Sequence, residues 1–283
     1  MVRHALALDI GGTKIAAAVV DEAGAITRRT SRPTGSDPWA TVRQVIDAVR
    51  SGTETVCGVG CGGPMLAGGS AVSPLNIPAW RGFALRDRLQ RLTGLDTFVD
   101  NDAKALALGE GWLGGARGEP NYIAMVVSTG VGGGIVLDGA LVDGAAGNAG
   151  HIGHVIVEPQ GRLCACGARG CLEAEASGTA IAAATGRPAA EAGSEVVERT
   201  GRLVGRAVAS VANLLDLRLA LVSGSVALGF GAPFFAAAQA EVDRSARLDF
   251  SRGARILPAA LGADGPLLGA AAVGWRGLVS RPR

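Results

Sequence analysis

The sequence predicts an α/β protein of two lobes that binds its ligands between them. Apolar strands, glycine hairpins and helical patterns alternate along the whole chain, which is typical of α/β folds. A glycine hairpin occurs twice, at Gly12 and at Gly133, and this spacing of nearly half the chain indicates an internal duplication. A chain of 283 residues is long enough to form two such lobes.

The composition excludes several classes of partner. A net charge of +2 predicts neither a nucleic-acid surface nor binding to an anionic membrane, and 4% aromatic residues provide no platform for stacking bases. Three of the five cysteines lie within eight residues, which favours metal binding in a reducing cytosol over a disulfide framework. We therefore expect a cytoplasmic protein that acts on small molecules.

Two apolar segments resemble targeting or membrane segments and are better explained otherwise. Asp9 interrupts the first apolar run before a signal-peptide core could form. The longest uncharged run, Leu219 to Ala240, contains Pro233 and several glycines and begins like a strand. A buried strand, a turn and a helix account for it better than a membrane span.

Residues 4–20 read as two apolar strands joined by Gly11-Gly12. This is either a bare hairpin or a phosphate loop. In the second case Thr13 offers a hydroxyl, Lys14 a cation, and Asp9 a carboxylate that could hold magnesium through water. It is not a P-loop, which needs a longer glycine loop ending in Gly-Lys-Ser/Thr before a helix.

An amphipathic helix is predicted from Trp39 to Val49, because valine and isoleucine recur on one helical face. The following Gly58–Gly63 stretch matches G-x-G-x-x-G. We reject it as a dinucleotide fingerprint, because Pro64 follows at once and no helix pattern begins there. Cys57 and Cys61 are interpreted as small buried core residues.

The next strand ends on Asp100-Asn101-Asp102, ahead of a helical run from Ala103 to Leu113. Asp100 or Asn101 could simply cap that helix. Two carboxylates and an amide in three positions exceed what a cap needs. A carboxylate at the end of a strand is well placed to act as a general base toward a substrate hydroxyl, and Asp102 is the candidate.

The second half repeats the opening design. Tyr122 to Leu137 contains an apolar strand, a Ser-Thr pair, four glycines and a second apolar strand. Two such hairpins could clamp the phosphates of a nucleotide with backbone N–H groups. A long amphipathic helix from Val197 to Leu215, a strand at Arg255–Leu261 and a terminal helix at Leu267–Val279 complete the predicted elements.

The buried strand Leu219–Val222 ends on Ser223-Gly224-Ser225. Glycine at a strand-to-helix turn permits the close approach of a ligand, here the adenosine part of a nucleotide. A tight turn with no ligand is an equally good explanation of Gly224.

The segment from Gly150 to Glu173 contains Cys164, Cys166 and Cys171, with His154 ten residues before the first cysteine. Three thiolates and one imidazole make a standard closed zinc shell, whereas the alternative is three free thiols in a glycine-rich loop. A closed shell leaves no position for activating water. We therefore predict a structural zinc that holds Glu173 and a strand at His151–His154 in place.

Together these segments resemble the ROK family of sugar kinases and related regulators. The resemblance covers nearly the whole chain. It rests on DIGGTK at Asp9–Lys14, NDA at Asn101–Ala103, STGVGGG at Ser128–Gly134, and GH…C-x-C-G-x-x-G-C-x-E from Gly153 to Glu173.

The resemblance implies the actin-like fold of the hexokinase superfamily and transfer of the ATP γ-phosphoryl group, with Mg²⁺, to a sugar hydroxyl, most often O6. It implies a small lobe of residues 1–103 with the C-terminal helix 267–283, and a large lobe of residues 104–266 that carries the zinc loop 154–171. It also implies a homodimer or homotetramer.

The implied roles fall on residues of this sequence that match the family's motifs. Asp102 becomes the general base. Sugar recognition is assigned to Gly63, Asn101, His151, His154 and Glu173, with His154 also serving the zinc beside Cys164, Cys166 and Cys171. Nucleotide binding is assigned to Asp9, Gly11, Gly12, Thr13, Lys14, Thr129, Gly130, Gly132, Gly133 and Gly224.

Two residues depart from the family pattern. His151 stands where most members carry a glutamate, and a neutral imidazole offers one donor and one acceptor where a carboxylate accepts two hydrogen bonds. Some bacterial N-acetylmannosamine kinases of the family are similar here, which favours an N-acylhexosamine without excluding glucose. Lys104 stands where the family often has asparagine, with no clear consequence from sequence.

The competing hypothesis is a catalytically inactive sugar sensor or regulator, because the family includes repressors. Those carry a DNA-binding helix-turn-helix ahead of the kinase-like part. Here the first strand is predicted from residue 4, and no basic recognition helix is found in the sequence. The sequence does not distinguish ATP from polyphosphate as the phosphoryl donor.

Overall fold

A computed structural model describes residues 2–280 of the chain. The strands are β1 (His4–Ile10), β2 (Lys14–Asp21), β3 (Ile26–Pro33), β4 (Glu54–Cys61), β5 (Thr97–Asn101), β6 (Tyr122–Val127), β7 (Val131–Leu137), β8 (Ala140–Leu141), β9 (Leu219–Ser223) and β10 (Arg255–Pro258). The helices are α1 (Pro38–Val49), α2 (Leu85–Thr93), α3 (Asp102–Trp112), α4 (Leu172–Ala176), α5 (Gly178–Thr185), α6 (Ser194–Leu215), α7 (Ser225–Ser245) and α8 (Gly265–Val279). The predicted α/β class is confirmed.

The chain forms two compact units. Unit 1 contains the residues up to Gly114, a short segment Asp143–Ala149, and the residues from Leu261 onward. Unit 2 contains Gly115–Val142 and Gly150–Ala260. The predicted lobes differ from these units in three places, the first being that the last part of unit 1 begins at Leu261 and not at residue 267. Unit 1 includes the whole of α3, which packs against α8, and it also includes Asp143–Ala149.

Unit 1 is built on a sheet with strand order β3-β2-β1-β4-β5. β1 and β2 form an antiparallel hairpin with Ile10 opposite Ile15, whereas β4 runs parallel to β1 and β5 runs parallel to β4. Apolar and polar residues alternate only weakly in β1 and β2, because both faces of the sheet are covered there. The two strands are therefore almost continuous apolar runs. The carboxyl ends of β1, β4 and β5 therefore lie side by side at one edge.

The rejected G-x-G-x-x-G stretch has a packing explanation. A Cβ on Gly58 would collide with the backbone of α8, and one on Gly60 would lie 3.7 Å from the Cα of Asp102. These glycines let α8 and α3 approach the sheet closely. Cys57 and Cys61 are fully buried in the same strand, as predicted.

Unit 2 repeats this arrangement with strand order β10-β9-β6-β7-β8. β6 and β7 are antiparallel, β7 and β8 are antiparallel, and β9 is parallel to both β6 and β10. The two sheets thus have the same sequence of parallel and antiparallel neighbours, which confirms the duplication inferred from the two hairpins. Helices cover the apolar faces of the sheets. In unit 2 the apolar core includes the interface between α6 and α7.

One predicted element is wrong. Residues 151–154 do not form a strand, because a 3₁₀ turn occupies Ile152–His154. A Cβ on Gly153 would collide with the Val131 carbonyl of β7, so the turn rests directly on that strand's backbone. The uncharged run from Leu219 forms β9 and the start of α7, as predicted. No helix among residues 2–280 is long and apolar enough to cross a membrane.

Candidate functional site

The first hairpin places several predicted residues at one end of the unit 1 sheet. Gly11, Gly12 and Thr13 form the turn, Asp9 lies on β1, and Lys14 begins β2. The Gly11 amide donates to the Lys14 carbonyl at 3.0 Å. A Cβ on Gly12 would lie 2.7 Å from the Asn76 carbonyl oxygen. Glycine is therefore required at residue 12 by contact with the chain itself, whether or not a phosphate binds.

Asp9 is a mostly buried carboxylate. Burial, followed by the negative charge of Asp102, raises its pKa to about 6, and the Lys14 ammonium opposes part of this rise. The same two carboxylates, with burial acting first, raise the pKa of the Cys61 thiol. A pair of neighbouring carboxylates that disfavour each other's charge is a suitable place for a hard divalent cation, which accepts oxygen ligands.

Asp102 is exposed at the first position of α3, immediately after β5. Its own Oδ1 and the Oδ1 of Asn101 both accept from the Ala103 amide, at 2.9 and 3.0 Å. Asn101 is thus the N-cap that the sequence allowed, and Asp102 is not needed for that purpose. The N-terminus of α3 favours negative charge on the Asp102 carboxylate. A carboxylate can accept a proton from a hydroxyl, and the role of Asp102 as the general base stays a prediction.

Gly63 lies beside the Asn101 side chain in unit 1. A Cβ on Gly63 would lie 3.4 Å from the Asn101 side-chain nitrogen. Unit 1 therefore brings together the predicted base, the amide of Asn101, Gly63 and the Asp9–Lys14 hairpin.

The second hairpin has different polar partners. Thr129 and Gly130 form its turn, while Gly132 and Gly133 lie within β7. Glu173 on α4 accepts from the Val131 amide through its Oε2 at 2.9 Å. The carboxylate assigned to sugar recognition therefore also fixes the backbone of the hairpin assigned to phosphates. A Cβ on Gly133 would lie 3.1 Å from the Gly150 carbonyl, so this glycine admits the segment leading to His151.

The hairpin turn is also tied to two helix beginnings within unit 2. The Gly178 amide donates to the Ser128 carbonyl at 2.7 Å, and the Thr179 hydroxyl donates to the Thr129 carbonyl at 2.9 Å. The Ser128 and Ser225 hydroxyls lie 2.9 Å apart. Sequence reasoning missed the α5 start, Ser177–Thr179, because no helical periodicity marks so short an element.

Gly224 has a positive φ of 102°, and a Cβ there would collide with the Val127 carbonyl of β6. The need for glycine at this turn comes from contact with β6. Contact with β6 accounts for the residue type without a ligand, which leaves the adenosine role a prediction.

His154, Cys164, Cys166 and Cys171 converge in unit 2, and their ligand atoms all lie within 4.8 Å of one another. The Cys164 sulfur is 3.7 Å from the His154 Nδ1, and the Cys166 and Cys171 sulfurs are 3.7 Å apart. Zinc–sulfur bonds of about 2.3 Å in a tetrahedron require sulfurs about 3.8 Å apart. These two separations match that geometry, and the four side chains are the right set of ligands for a zinc ion.

Backbone turns hold this cluster in shape. The Cys164 amide donates to the Ala168 carbonyl at 2.7 Å, and Gly167 and Gly170 have positive φ values of 92° and 72°. Buried Glu175 accepts from the Arg162 amide and pairs with Arg199 of α6 at 2.6 Å, which ties the loop to the core of unit 2.

His151 and His154 are both exposed, and their rings stack with centroids 6.1 Å apart. Because His154 Nδ1 points toward Cys164, its Nε2 is the ring nitrogen left for another partner.

Comparison with known sequences places this architecture among characterised proteins. The sequence profile of the ROK family matches residues 5–275. The chain is 40% identical to the glucokinase of Thermotoga maritima over 184 residues, which cover 62% of this chain and 58% of that protein. It is 38% identical to the N-acetylmannosamine kinase of Citrobacter koseri over 250 residues, which cover 80% of this chain and 84% of that protein.

Two solved structures share the fold. The ROK hexokinase from Thermus thermophilus has a TM-score of 0.85 and 31% identity, over 98% of this chain and all of that one. The ROK family glucokinase from Streptomyces griseus, in complex with glucose and AMPPNP, has a TM-score of 0.84 and 30% identity, over 97% of this chain and all of that one. These similarities confirm the predicted actin-like α/β fold.

Proposed function

This chain belongs to the ROK family, and from that premise we propose that it is an ATP-dependent kinase that phosphorylates the 6-hydroxyl of a hexose or an N-acylhexosamine. The observation that carries the proposal is the exposed carboxylate of Asp102 at the start of α3, beside the Asn101 side chain and the Asp9 carboxylate. This arrangement suits proton removal from a hydroxyl. A protein that only binds sugar does not need it.

In the proposed reaction Asp102 accepts the proton of the sugar hydroxyl as its oxygen forms a bond to the γ-phosphorus. The bond between that phosphorus and the β–γ bridging oxygen breaks, and ADP leaves. The transition state of such a transfer is loose, so the protein acts mainly by positioning groups and neutralising charge. General-base catalysis contributes typically about 10²–10⁴-fold.

The nucleotide is assigned to the two hairpins. Backbone amides at Gly11–Thr13 and Thr129–Gly133 would bind phosphate oxygens, and Lys14 would offset their charge. Gly224, at the start of α7, would lie against the adenosine. Asp9 is the residue best suited to hold Mg²⁺ through water, and the ion would neutralise phosphate charge when bound.

Sugar recognition is assigned to Gly63, Asn101, His151, His154 and Glu173. We propose that the cysteine cluster holds one structural zinc through Cys164, Cys166, Cys171 and the Nδ1 of His154. His154 Nε2–H is then free to donate to a sugar hydroxyl. His151 has fewer acceptor positions than the carboxylate usual in the family, which affects the choice of sugar. Similarity to N-acetylmannosamine kinases favours an N-acylhexosamine such as N-acetylmannosamine, with glucose as the next candidate.

A coupled ADP-release assay tests the proposal. Purified protein, ATP and Mg²⁺ are combined separately with glucose, mannose, N-acetylglucosamine, N-acetylmannosamine, allose and fructose, with a sugar-free reaction to measure hydrolysis of ATP alone. We expect sugar-dependent turnover, greatest with N-acetylmannosamine or glucose. Sugar binding by calorimetry without turnover of any sugar, with ATP or with polyphosphate, would contradict the kinase and favour the sensor.

A further inference from the structure

Lys104 lies two positions after Asp102 and is almost fully buried, at 2% exposure. Burying an ammonium group is unfavourable unless charges and hydrogen-bond acceptors compensate it. The Lys104 Nζ is 2.8 Å from Asp143 Oδ1 and 3.1 Å from Asp100 Oδ1, and it donates to the Gly147 carbonyl at 3.2 Å. Each of these partners lies in unit 1.

Two of these acceptors belong to the segment Asp143–Ala149, which we call the strap. The strap is part of unit 1, although the chain on both sides of it, Gly115–Val142 and Gly150–Ala260, forms unit 2. No residue of the strap is itself buried, because its sequence, DGAAGNA, has no large apolar side chain. Hydrophobic packing therefore cannot account for its attachment to unit 1.

Polar contacts hold the strap instead. Besides Lys104, the Arg276 guanidinium pairs with Asp143 Oδ2 at 2.8 Å, and the Asn148 side chain donates to the Met65 carbonyl at 3.3 Å. Arg276 is one-third exposed, whereas Lys104 is buried and bonds to the strap at two points, Asp143 and Gly147. Ion pairs at exposed positions contribute little, so the buried lysine is the main anchor.

The strap leads directly into the sugar-recognition turn. Gly150 follows it at a φ of 100°, with no room for a Cβ against the Gly133 carbonyl, and His151 comes next. Only Gly150 separates the strap from His151. Because a residue spans at most about 3.5 Å, a shift of the strap cannot be absorbed before the imidazole.

We propose that Lys104 is a positioning residue for sugar recognition, which acts by fixing the strap and thereby the backbone that presents His151. This inference rests on the proposed kinase function. It gives a role to a residue whose type the sequence left unexplained. Lys104 is predicted to touch neither the sugar nor the nucleotide, and its effect on sugar passes through Asp143 and Gly147.

The test compares wild type, Lys104→Met, Asp143→Asn and the double variant. We expect Lys104→Met to raise the KM for the sugar about tenfold while the KM for ATP changes less than about twofold. Because the two residues act through one contact, the double variant should show no larger rise than Lys104→Met alone. Equal rises in both KM values, or multiplicative effects in the double variant, would overturn the proposal.

Arg29→Met is the matched control, because Arg29 forms an exposed ion pair with Asp264 at 2.6 Å in the same unit. It should leave both KM values unchanged. If Lys104→Met does not fold, Asp143→Asn alone carries the kinetic test, since Asp143 is exposed. An unchanged sugar KM in that variant would then overturn the proposal.

Hydrogen exchange separates this inference from the proposed function. In Lys104→Met, amides of residues 143–149 should exchange at least about tenfold faster, while those of β1 stay protected. If wild type turns over no sugar, the kinase proposal fails, and exchange still decides whether Lys104 holds the strap. If wild type is active and Lys104→Met has a normal sugar KM, the positioning role fails and the kinase proposal stands.

Discussion

The two glycine hairpins are equivalent in topology and different in chemistry. β1–β2 and β6–β7 occupy the same place in two sheets with matching strand order. In the first hairpin the polar groups lie on the hairpin itself, with Asp9 on one strand and Lys14 on the other. In the second, Val127 and Val131 flank the turn, and the carboxylate that meets it comes from Glu173 on α4.

The segments that connect equivalent strands also differ between the two sheets. In unit 1 the chain passes from β3 to β4 through α1 alone, and β5 leads straight into the Asp102 carboxylate. The corresponding connection between the unit 2 strands β8 and β9 first passes through the strap, which belongs to unit 1, and then contains the histidine turn, the cysteine cluster and three helices. Duplication thus supplied two similar backbone scaffolds, and the segments added to each one determine its chemistry.

The largest expected effect comes from removing the Asp102 carboxylate, which follows β5 in unit 1. Asp102→Asn should lower kcat by about 10²–10⁴-fold and leave sugar binding measurable, because the amide keeps the shape but cannot accept the proton. The rate comes from the ADP-release assay and the binding from calorimetry. Asp138→Asn, at a turn of unit 2 with a φ of 51°, is the control and should remain active. Full activity of Asp102→Asn would exclude Asp102 as the base.

Removing a cysteine of the cluster tests whether the stability of unit 2 depends on the zinc-binding segment. Metal analysis should give about one zinc per chain, and Cys171→Ser should lose it and lower the Tm by about 5–10 °C. Cys57→Ala removes a buried thiol outside the cluster and should keep the zinc. Hydrogen exchange in the Cys171→Ser protein should rise in residues 150–176 and not in β1. A metal-free protein that stayed folded and active would show that zinc is not needed for the fold or for activity.

Asp9 in the first hairpin should make the stability of the protein depend on pH. Its pKa of about 6 in the folded state exceeds the ordinary aspartate value of 3.8. Its contribution to stability is therefore fully present below about pH 4 and is lost as the pH rises through about 6. The Asp9→Asn variant should be relatively more stable at pH 8 than at pH 4, by up to about 3 kcal/mol.

Urea titrations of both proteins at pH 4 and pH 8 measure this difference. In the kinase assay, wild-type kcat/KM should fall below about pH 6 as the carboxylate is protonated and loses its affinity for a cation. A stability difference between the two proteins that does not change with pH would show that Asp9 does not titrate as described.

The smallest effects concern the hairpin glycines themselves. Gly12→Ala should destabilise the protein by about 1–3 kcal/mol, because the new methyl group meets the Asn76 backbone. Gly133→Ala should have a smaller effect, since its nearest neighbours lie 3.1 Å away. Gly229→Ala, inside α7 with open space around it, is the control and should be neutral or slightly stabilising. Urea unfolding gives the three values, and a reversed order would contradict the packing described.

Several elements could be predicted because local pattern is enough to specify them. The apolar runs of β1, β6 and β9 and the helical periodicity of α6 appear in the structure close to their predicted bounds. The convergence of four metal-binding side chains also follows largely from sequence, since the three cysteines lie within one tight knuckle of eight residues.

Other features depend on residues that are distant in sequence. Residues 151–154 look like a strand locally, yet the contact of Gly153 with β7 makes them a turn. Lys104 has no evident role until the fold brings Asp143 to it from 39 positions away. Glu173 likewise meets the Val131 amide only in the folded chain.

The sequence by itself indicated many of the elements, the duplication, the family and the candidate base, because periodicity, turn chemistry and motifs are local. Only the tertiary structure decided which partners the buried charges have and why particular glycines are required, because desolvation and close packing act between segments far apart in the chain. Asp102 could be named as the candidate base from its neighbours in sequence, whereas the strap that contacts Lys104 could not be foreseen.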